Sequence, residues 1–350
     1  MLQRLFCLLA LLGLTACVDP GSGSSTGEAA VYAYDEASKV VHRWNDLPAA
    51  FTAGSLPTPS SSLSSSLFDP VTPLAWGGMT LDDSRNRLYL VGESGDVVRI
   101  DRVRNLSGSL SIADVVPFKL DSAQRLTNRK FGQAAVDAST DTLYVTETGD
   151  NGTRIWVVTA ASSRARDVTV SLQALQTSGD TGGYGVAAGQ GLVYGSFQNG
   201  NAVGPDSLTG PRLRKGAGGS FLPTSVLVGN LTGLGKRGVL ALDTSNSLLF
   251  VGLSPSEDSN VSVPVEVFRT GQPGGAYNQA PNATFGDPKV VTDLRVLAHA
   301  GNKDWLAGLS ATVGATVWVW KAPSGGSPTF LALTGPTGAQ LKGLVIDGNP

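Results

Sequence analysis

Short runs of alternating apolar and polar residues, separated by turn-forming residues, recur along most of the chain. In the stretch from Gly78 to Ile100, apolar runs are separated by two turns, residues 83–86 and 93–96. Asp and Asn favour such turns because their side chains bond the nearby backbone and tolerate left-handed geometry. Apolar runs of this length between closely spaced turns predict an antiparallel β-meander.

This unit repeats with a period close to fifty residues. In three copies an Asp ends the first run and an aromatic residue follows seven positions later: Asp82 and Tyr89, Asp137 and Tyr144, Asp243 and Phe250. Weaker copies keep the aromatic residue at Tyr194 and Trp305, and a half-copy ends at Asp347. The anchors at 82, 137, 187, 243, 298 and 347 are 55, 50, 56, 55 and 49 residues apart. A period of this size with about four short strands per unit is typical of a β-propeller.

The two ends of the chain complete the pattern. Val31–Tyr34 resembles the aromatic third strands of other units, whereas residues 341–347 form a first strand without its outer neighbours. Joining them would remove the exposed edges that an open array leaves. We therefore predict an all-β fold over residues 30–350, a six-bladed β-propeller closed by pairing N-terminal strands with a C-terminal strand. The second strand of this closing blade is not identified in either end.

Over roughly residues 29–350 the chain resembles bacterial six-bladed propellers built from NHL-like or YVTN-like repeats. The resemblance is carried by the G-x-x-h-D turn, the L-Y-V second strand and the aromatic third strand. It implies a fold, but such propellers serve as enzymes, binding modules and scaffolds, so the fold alone does not choose a function.

The first 17 residues are typical of a targeting segment. Arg4 precedes an apolar run, Leu5–Leu14, that is too short to span a bilayer. Leu14–Cys17 resembles the bacterial lipobox, in which the cysteine becomes the lipidated first residue; an ordinary secretory signal is the alternative. We expect lipidated Cys17, a flexible Gly/Ser linker over residues 18–29 with a reach of about 20 Å, and a protein anchored by lipid in the bacterial cell envelope, on the periplasmic or surface side.

Composition and motifs give little support to catalysis. Charged residues make up 15% of the chain, and 26 basic residues face 28 acidic ones, so there is no electrostatic case for nucleic acid. Only two histidines are present, His42 and His299, and no nucleophile elbow, HExxH or P-loop motif occurs. The recurring aspartates fall at hairpin turns, where backbone capping explains them. We therefore predict no catalytic residues, no cofactor and no metal site.

The most suggestive group of residues is basic. In a propeller, the segments that enter the inner strands open on one face, around the mouth of the central channel. Cations and aromatic residues fall in these segments and in an insertion at 197–219, and together they form the predicted ligand-binding set: Arg129, Lys130, Lys236, Arg237, Lys342, Arg212, Arg214, Lys215, Trp76, Phe131 and Tyr184. A focused positive potential attracts anions. The alternative is that loop tips are rich in Lys and Arg because they are solvated.

Residues 47–76 form the longest connection between units and include a Ser- and Pro-rich segment. Long connections in compact domains are usually either disordered or functional. The sequence leaves open a disordered surface loop and a lid over the mouth.

These observations predict an envelope lipoprotein without enzymatic activity, whose propeller binds an anionic glycan or an envelope protein at a basic mouth. Two alternatives remain open. Propeller lactonases of a related architecture hold calcium with Glu, Asn and Asp in the channel, so the resemblance also implies a metal-dependent hydrolase. A pure scaffold is the other.

Overall fold

The computed structural model describes most of the chain from Ala29 onwards. The described residues are 29–121, 128–149, 152–171, 173–174, 181–198, 211–217, 220–228, 238–253, 263–270, 275–277, 281–287, 291, 293–300, 303–310 and 316–349. Of these, only the backbone is described at 121, 152–153, 171, 173–174, 181–184, 197–198, 211–217, 220–228 and 275–277. The predicted signal, Cys17 and residues 18–28 of the predicted linker lie outside the described residues.

The chain builds five blades from consecutive strands, after an N-terminal segment that belongs to the closing blade. The N-terminal segment contains β1 (Ala30–Asp35), β2 (Val40–Trp44), α1 (Leu47–Ala53) and β3 (Ser61–Ser64). Blade 1 contains β4 (Leu74–Asp82), β5 (Arg87–Gly92), β6 (Asp96–Asp101), β7 (Gly108–Ser109) and β8 (Val115–Asp121). Blade 2 contains β9 (Lys130–Asp137), β10 (Thr142–Gly149), β11 (Gly152–Thr159), β12 (Thr169–Ser171) and β13 (Gln173–Ala174).

The remaining blades follow the same scheme. Blade 3 contains β14 (Thr181–Gly189), β15 (Leu192–Gln198), β16 (Pro211–Ala217) and β17 (Ser220–Val228). Blade 4 contains β18 (Gly238–Asp243), β19 (Leu248–Leu253), β20 (Val265–Arg269), β21 (Gly275–Tyr277) and β22 (Ala283–Phe285). Blade 5 contains β23 (Leu294–His299), β24 (Trp305–Ser310), β25 (Thr316–Lys321) and β26 (Thr329–Thr334), and the last strand is β27 (Leu341–Asp347). Short 3₁₀ turns cover Ser66–Val71, Val103–Asn105, Ala161–Ser163 and Pro323–Gly325.

These strands form a closed ring. The innermost strands β4, β9, β14, β18, β23 and β27 contact one another in that order, and β27 returns to β4. Beside the five blades of consecutive strands, a composite closing sheet has the order β27-β1-β2-β3-β7. The predicted propeller class is therefore confirmed, although only five blades, and not six, are made from uninterrupted chain.

The closing sheet supplies the strand that the sequence pattern did not identify. β1 pairs directly with β27, and Tyr32 lies opposite Val345. Tyr89 has the same position opposite Thr80 in blade 1. Val31–Tyr34 is therefore part of the second strand of the closing blade and not its third, which is β2.

The long connection at residues 47–76 is ordered. It holds α1, β3 and the 3₁₀ turn Ser66–Val71 before β4 begins. Asp46 caps α1 by accepting from the Ala49 N–H at 2.9 Å, and β3 is the fourth strand of the closing sheet. Both alternatives drawn from the sequence, a disordered loop and a lid, are wrong for these residues because their apolar side chains join the core.

Neighbouring blades are joined by short crossing strands. β7 leaves blade 1 to pair in parallel with β3, β12 leaves blade 2 to pair with β8, and β21 leaves blade 4 to pair with β17. A single bridge between Ser55 and Thr334 joins the closing blade to blade 5 in the same way. Each crossing strand covers an outer edge that would otherwise be open to another chain.

The recurring aspartates cap their turns, as predicted. Asp82, Asp137, Asp243 and Asp347 are each buried, and each accepts a backbone N–H two or three residues later at 2.9 to 3.0 Å. We call the side of the ring that carries these turns the turn face. We call the opposite side, where the inner strands begin at residues such as Lys130 and Leu341, the mouth face.

The apolar core lies between adjacent blades. One cluster packs the closing blade against blade 5 around Trp44 and Trp305, and another packs blade 1 against blade 2 around Tyr89 and Trp156. No helix among the described residues is both long enough and apolar enough to span a membrane.

Candidate functional site

A cleft opens at the centre of the mouth face. Its volume is about 440 Å³. It is lined by residues from four blades: Trp76, Glu93, Lys130, Phe131, Gly132, Thr146, Thr148, Val239, Leu294 and Arg295. The wall thus combines apolar and aromatic surface with hydroxyl groups and charges, which is the composition of sites that hold small polar ligands.

Ion pairs surround this cleft. Among the described residues the pairs are Glu36 with Lys342 (2.8 Å), Glu93 with Lys130 (2.9 Å), Glu147 with Arg129 (3.5 Å) and Asp293 with Arg295 (3.0 Å). The Glu93 carboxylate raises the pKa of Lys130, which is largely exposed. Each described cation of the mouth therefore has an acidic neighbour, and the local positive potential is weaker than the spacing of the cations alone suggests.

The structure brings together one part of the predicted ligand-binding set. Arg129, Lys130, Lys342, Trp76 and Phe131 all lie on the mouth face, around the cleft. The Lys342 ammonium lies 6.0 Å from the Trp76 ring, and the Arg129 guanidinium lies 5.7 Å from the Phe131 ring. Phe131 itself is 3% exposed, so its ring serves the core between blades 1 and 2 more than the cleft.

The rest of the set is not assembled by described side chains. Lys236 and Arg237 lie outside the described residues. Arg212, Arg214 and Lys215, predicted in a loop, lie in strand β16, and only their backbone is described, as is that of Tyr184 in β14. Lys215 pairs with Tyr194 in register, whereas Arg212 pairs with Phe197, next to the pair of Gln198 and Pro211 that ends this ladder.

Glu147 is a buried carboxylate at the edge of the cleft that the sequence analysis did not single out. It accepts a hydrogen bond from the Trp156 indole N–H at 2.7 Å and lies beside Arg129. Burial raises its pKa, and the bonds from Trp156 and Arg129 oppose that shift. An acidic residue inside the strand run LYVTETG was the available signal.

Gln133, the residue after Gly132 of the cleft wall, lines a narrower channel, and no feature of the sequence pointed to it. Its side-chain amide donates to the Leu240 carbonyl at 2.7 Å, and its oxygen accepts from the N–H groups of Leu240 (3.1 Å) and Val186 (3.2 Å). The side chain thus crosses the channel from blade 2 to blades 3 and 4.

That channel offers few ligand atoms for a hard cation. Its volume is about 120 Å³, and Thr80, Gln133 and His299 are the polar side chains among residues that are otherwise glycine, alanine or larger apolar types. Calcium needs six or more converging oxygen atoms. The described lining therefore does not fit the calcium site of channel carboxylates and amides that the lactonase resemblance implied.

A different group with metal-ligating atoms lies on the turn face. Potential ligand atoms of Asp243, His299 and Asp304 lie within 4.8 Å of one another. The His299 ring stacks on Phe250 and its Nε2 is 3.6 Å from Asp243. Burial lowers the pKa of His299, against the effect of the two aspartates, and favours the neutral imidazole.

Both aspartates of this group have structural roles that recur elsewhere. Asp243 caps its turn as Asp137 does, and the second oxygen of Asp137 also reaches the next blade, accepting from Gly191 N–H at 2.7 Å. Asp304 caps the 3₁₀ turn at Ser324 as Asp141 caps the one at Ser162. The aspartates of this group thus also take part in the contacts that join turns and blades.

Comparisons with known proteins agree with the fold. No protein-family model matches the chain, and no curated protein matches it in sequence. The chain is similar to one in a crystal structure described as a Nidogen/Laminin complex, with a TM-score of 0.55 and 14% identity over 91% of this chain and 97% of that chain. The WD40 β-propeller domain of Doa1 gives a TM-score of 0.46 and 9% identity, over 75% of this chain and 70% of that one. The chain is a β-propeller protein, and a likeness at such low identity shows the fold alone.

Proposed function

We propose that this protein is an envelope lipoprotein, anchored through Cys17, whose propeller binds a glycan or a protein partner at the mouth cleft. The observation that carries the proposal is the cleft itself, where Trp76 and the Thr146 and Thr148 side chains line a cavity of about 440 Å³. Aromatic surface combined with hydroxyl groups suits the faces and edges of sugar rings. The ion pairs at the rim can also exchange partners with a charged ligand.

The experiment uses the domain 19–350, because the described ring closes without the residues before Ala29. Retention of this domain on isolated envelope polymers is measured as salt is raised. We expect Trp76→Ala to weaken retention about fivefold, since an aromatic contact contributes about 1 kcal/mol. Retention of the variant equal to that of the parent would contradict the cleft as the site.

The predicted role of the basic residues is tested in the same assay. Lys130→Glu together with Lys342→Glu places like charges beside Glu93 and Glu36, and should abolish binding of an anionic polymer. Lys303→Glu reverses one charge at an exposed position of the turn face and is the control, to be compared with each single reversal as well as with the pair. The cations whose side chains are not described, Lys236 and Arg237, are reversed in a second variant. If neither reversal alters a salt-sensitive retention, the anion does not bind at the mouth.

The hydrolase alternative is favoured by one observation, the group of Asp243, His299 and Asp304. Its imidazole and carboxylate donors suit zinc or another transition metal better than calcium. Metal analysis of the purified domain distinguishes the two functions. Stoichiometric metal that is lost in His299→Gln, with no retention on polymers, would favour the hydrolase; a scaffold predicts neither metal nor retention.

A further inference from the structure

The chain enters the propeller on the face opposite to the mouth. Ala30, the first residue of β1, pairs with Asp347, which ends β27 and belongs to the turn face. Ala29 is fully buried, and its carbonyl accepts from the Leu47 N–H at 2.9 Å. The point at which the preceding segment leaves the domain is therefore fixed on the turn face.

The two faces are separated by the length of the inner strands. β27 has seven residues and β4 has nine. At about 3.3 Å per residue, these strands are about 23 Å and 30 Å long. A group attached at the turn face thus starts more than 20 Å from the mouth.

The segment that joins Cys17 to Ala29 is short compared with the path around the domain. It spans twelve residue steps, with a root-mean-square reach of about 20 Å and a limit of about 40 Å when fully extended. A path to the mouth face must cross β2, β3 and β7, about 15 Å at 4.8 Å per strand, and then follow the blade for about 23 Å. Even without the added width of side chains, this path takes up nearly the whole extended length of the segment from Cys17 to Ala29.

We infer that the anchored propeller is held with its turn face towards the membrane and its mouth away from it. The inference rests on the lipid anchor proposed above and names the kind of partner that the mouth can meet. That partner is a polymer or protein in the aqueous layer beyond the domain, and not a lipid head group of the anchoring membrane.

The turn face is tethered near the bilayer and not inserted into it. Among the described residues, the large apolar side chains that are exposed are Ile112 and Val168. The turns themselves present small polar residues such as Ser139 and Thr140, which are exposed. The tether, and not a membrane-binding surface, therefore determines the orientation.

The test uses the full acylated protein in phospholipid vesicles. A single cysteine is placed at exposed Ala37, in the β1–β2 turn beside Glu36 of the mouth face, or at exposed Thr140 of the turn face. The predicted mature chain has no cysteine other than Cys17, so each new thiol takes the dye alone. We expect energy transfer to acceptor lipids to be greater from Thr140→Cys than from Ala37→Cys. Equal transfer, or greater transfer from Ala37→Cys, would overturn the orientation.

A longer linker separates the tether from other causes. Inserting about 25 Gly/Ser residues after Gly27 gives a segment that can pass around the blade at ordinary extension. The difference between the two positions should then largely disappear. If it persists, contact between the turn face and the bilayer sets the orientation, and the tether argument is wrong.

Failure of the proposed function gives a different result. Cys17→Ser protein that still floats with the vesicles would overturn the lipid anchor and this inference together. Equal transfer in protein that requires Cys17 for flotation overturns the orientation alone. Binding at the mouth, measured by polymer retention, is unaffected by either outcome.

Discussion

Glu266 of β20 is a carboxyl group buried between blades. It is 3% exposed, and its Oε2 has no hydrogen-bond partner in the part of the chain that the structure describes. Its neighbours in register are Val251 and Thr284. Burial alone raises its pKa to about 8. The group is therefore protonated in the folded protein at neutral pH and ionised in the unfolded chain.

This difference predicts a dependence of stability on pH. Between about pH 4.5 and pH 8 the unfolded chain releases a proton that the folded protein keeps, so the free energy of unfolding falls as pH rises, by at most about 5 kcal/mol. Glu266→Gln should therefore match the parent near pH 4 and exceed its stability at pH 9. Urea unfolding at both pH values measures this, and the same gap at both would contradict it.

Asp137 shows how one residue serves both its own turn and the next blade. Its carboxylate accepts from Ser139 N–H at 2.9 Å and from Gly191 N–H of blade 3 at 2.7 Å. Asp137→Ala leaves both donors without this acceptor, and we expect a loss of about 3 kcal/mol. Thr140→Ala, at an exposed position of the same turn, is the control and should change stability by less than about 0.5 kcal/mol. Equal urea midpoints for Asp137→Ala and the control would show that the cap is not needed.

At the scale of elements, Gln133 of β9 joins three inner strands through one side chain. No side chain fits between β14 and β18 at Gly185, because a Cβ there would come within 2.2 Å of the Gly238 carbonyl. The three hydrogen bonds of Gln133 connect the strands instead. The close approach of the backbones and the bridging Gln133 amide thus both stabilise the contact between these inner strands.

Replacing the Gln133 amide should destabilise the ring even when the volume of the side chain is kept. Gln133→Met keeps the volume but leaves the Leu240 and Val186 groups unpaired in a buried place, so we expect a loss of about 2–4 kcal/mol. Gln190→Met changes the same residue type at an exposed turn and should have little effect. Thermal melts of both variants test this, and a Gln133→Met melt like that of the control would contradict the bridge.

Elements with a clear hydrophobic period could be predicted, and those without one could not. The strands of blades 1 and 2 follow from the Asp and aromatic spacing, because turn and core residues recur at fixed offsets. β7 and β13 have only two residues each, and β12 and β21 only three, too short for any period. The aromatic residues of β1 also resemble those of third strands, so this resemblance predicts the wrong position for β1. The spacing from Asp347, continued across the two ends of the chain, identifies Tyr32 instead.

The candidate site could also be predicted only in part from the sequence. Position in the repeat placed Lys130 and Lys342 at the mouth, as the structure does. Their carboxylate partners could not be found in this way, because Glu93 is on another blade and Glu36 is at the other end of the chain. The charge balance of the mouth depends on the folded ring and not on local sequence.

At the scale of the whole molecule, closure depends on β27, which belongs to two core clusters and connects both neighbours of the closing blade. Leu344 belongs to the same core cluster as Val31 and Trp305, and Val345 belongs to the same cluster as Tyr32 and Leu74. Asp347 accepts two hydrogen bonds from Arg104 of blade 1, each at 2.7 Å. Removal of residues 342–350 would therefore expose apolar surface on both sides and leave the buried end of Arg104 without this partner.

We expect that truncation to abolish cooperative unfolding of the ring as a whole. A circular permutant is the matched control: Asn349 is joined to Ala29 by a short Gly/Ser linker across the turn face, and new ends are made in the exposed turn between Gly326 and Ser327. It keeps β27 paired with β1 while changing the covalent connection, so it should unfold at nearly the same urea concentration as the parent. Calorimetry and urea unfolding of both proteins decide the matter. A truncated protein that unfolds like the permutant would mean that the ring is held by its five continuous blades, without the strand that closes it.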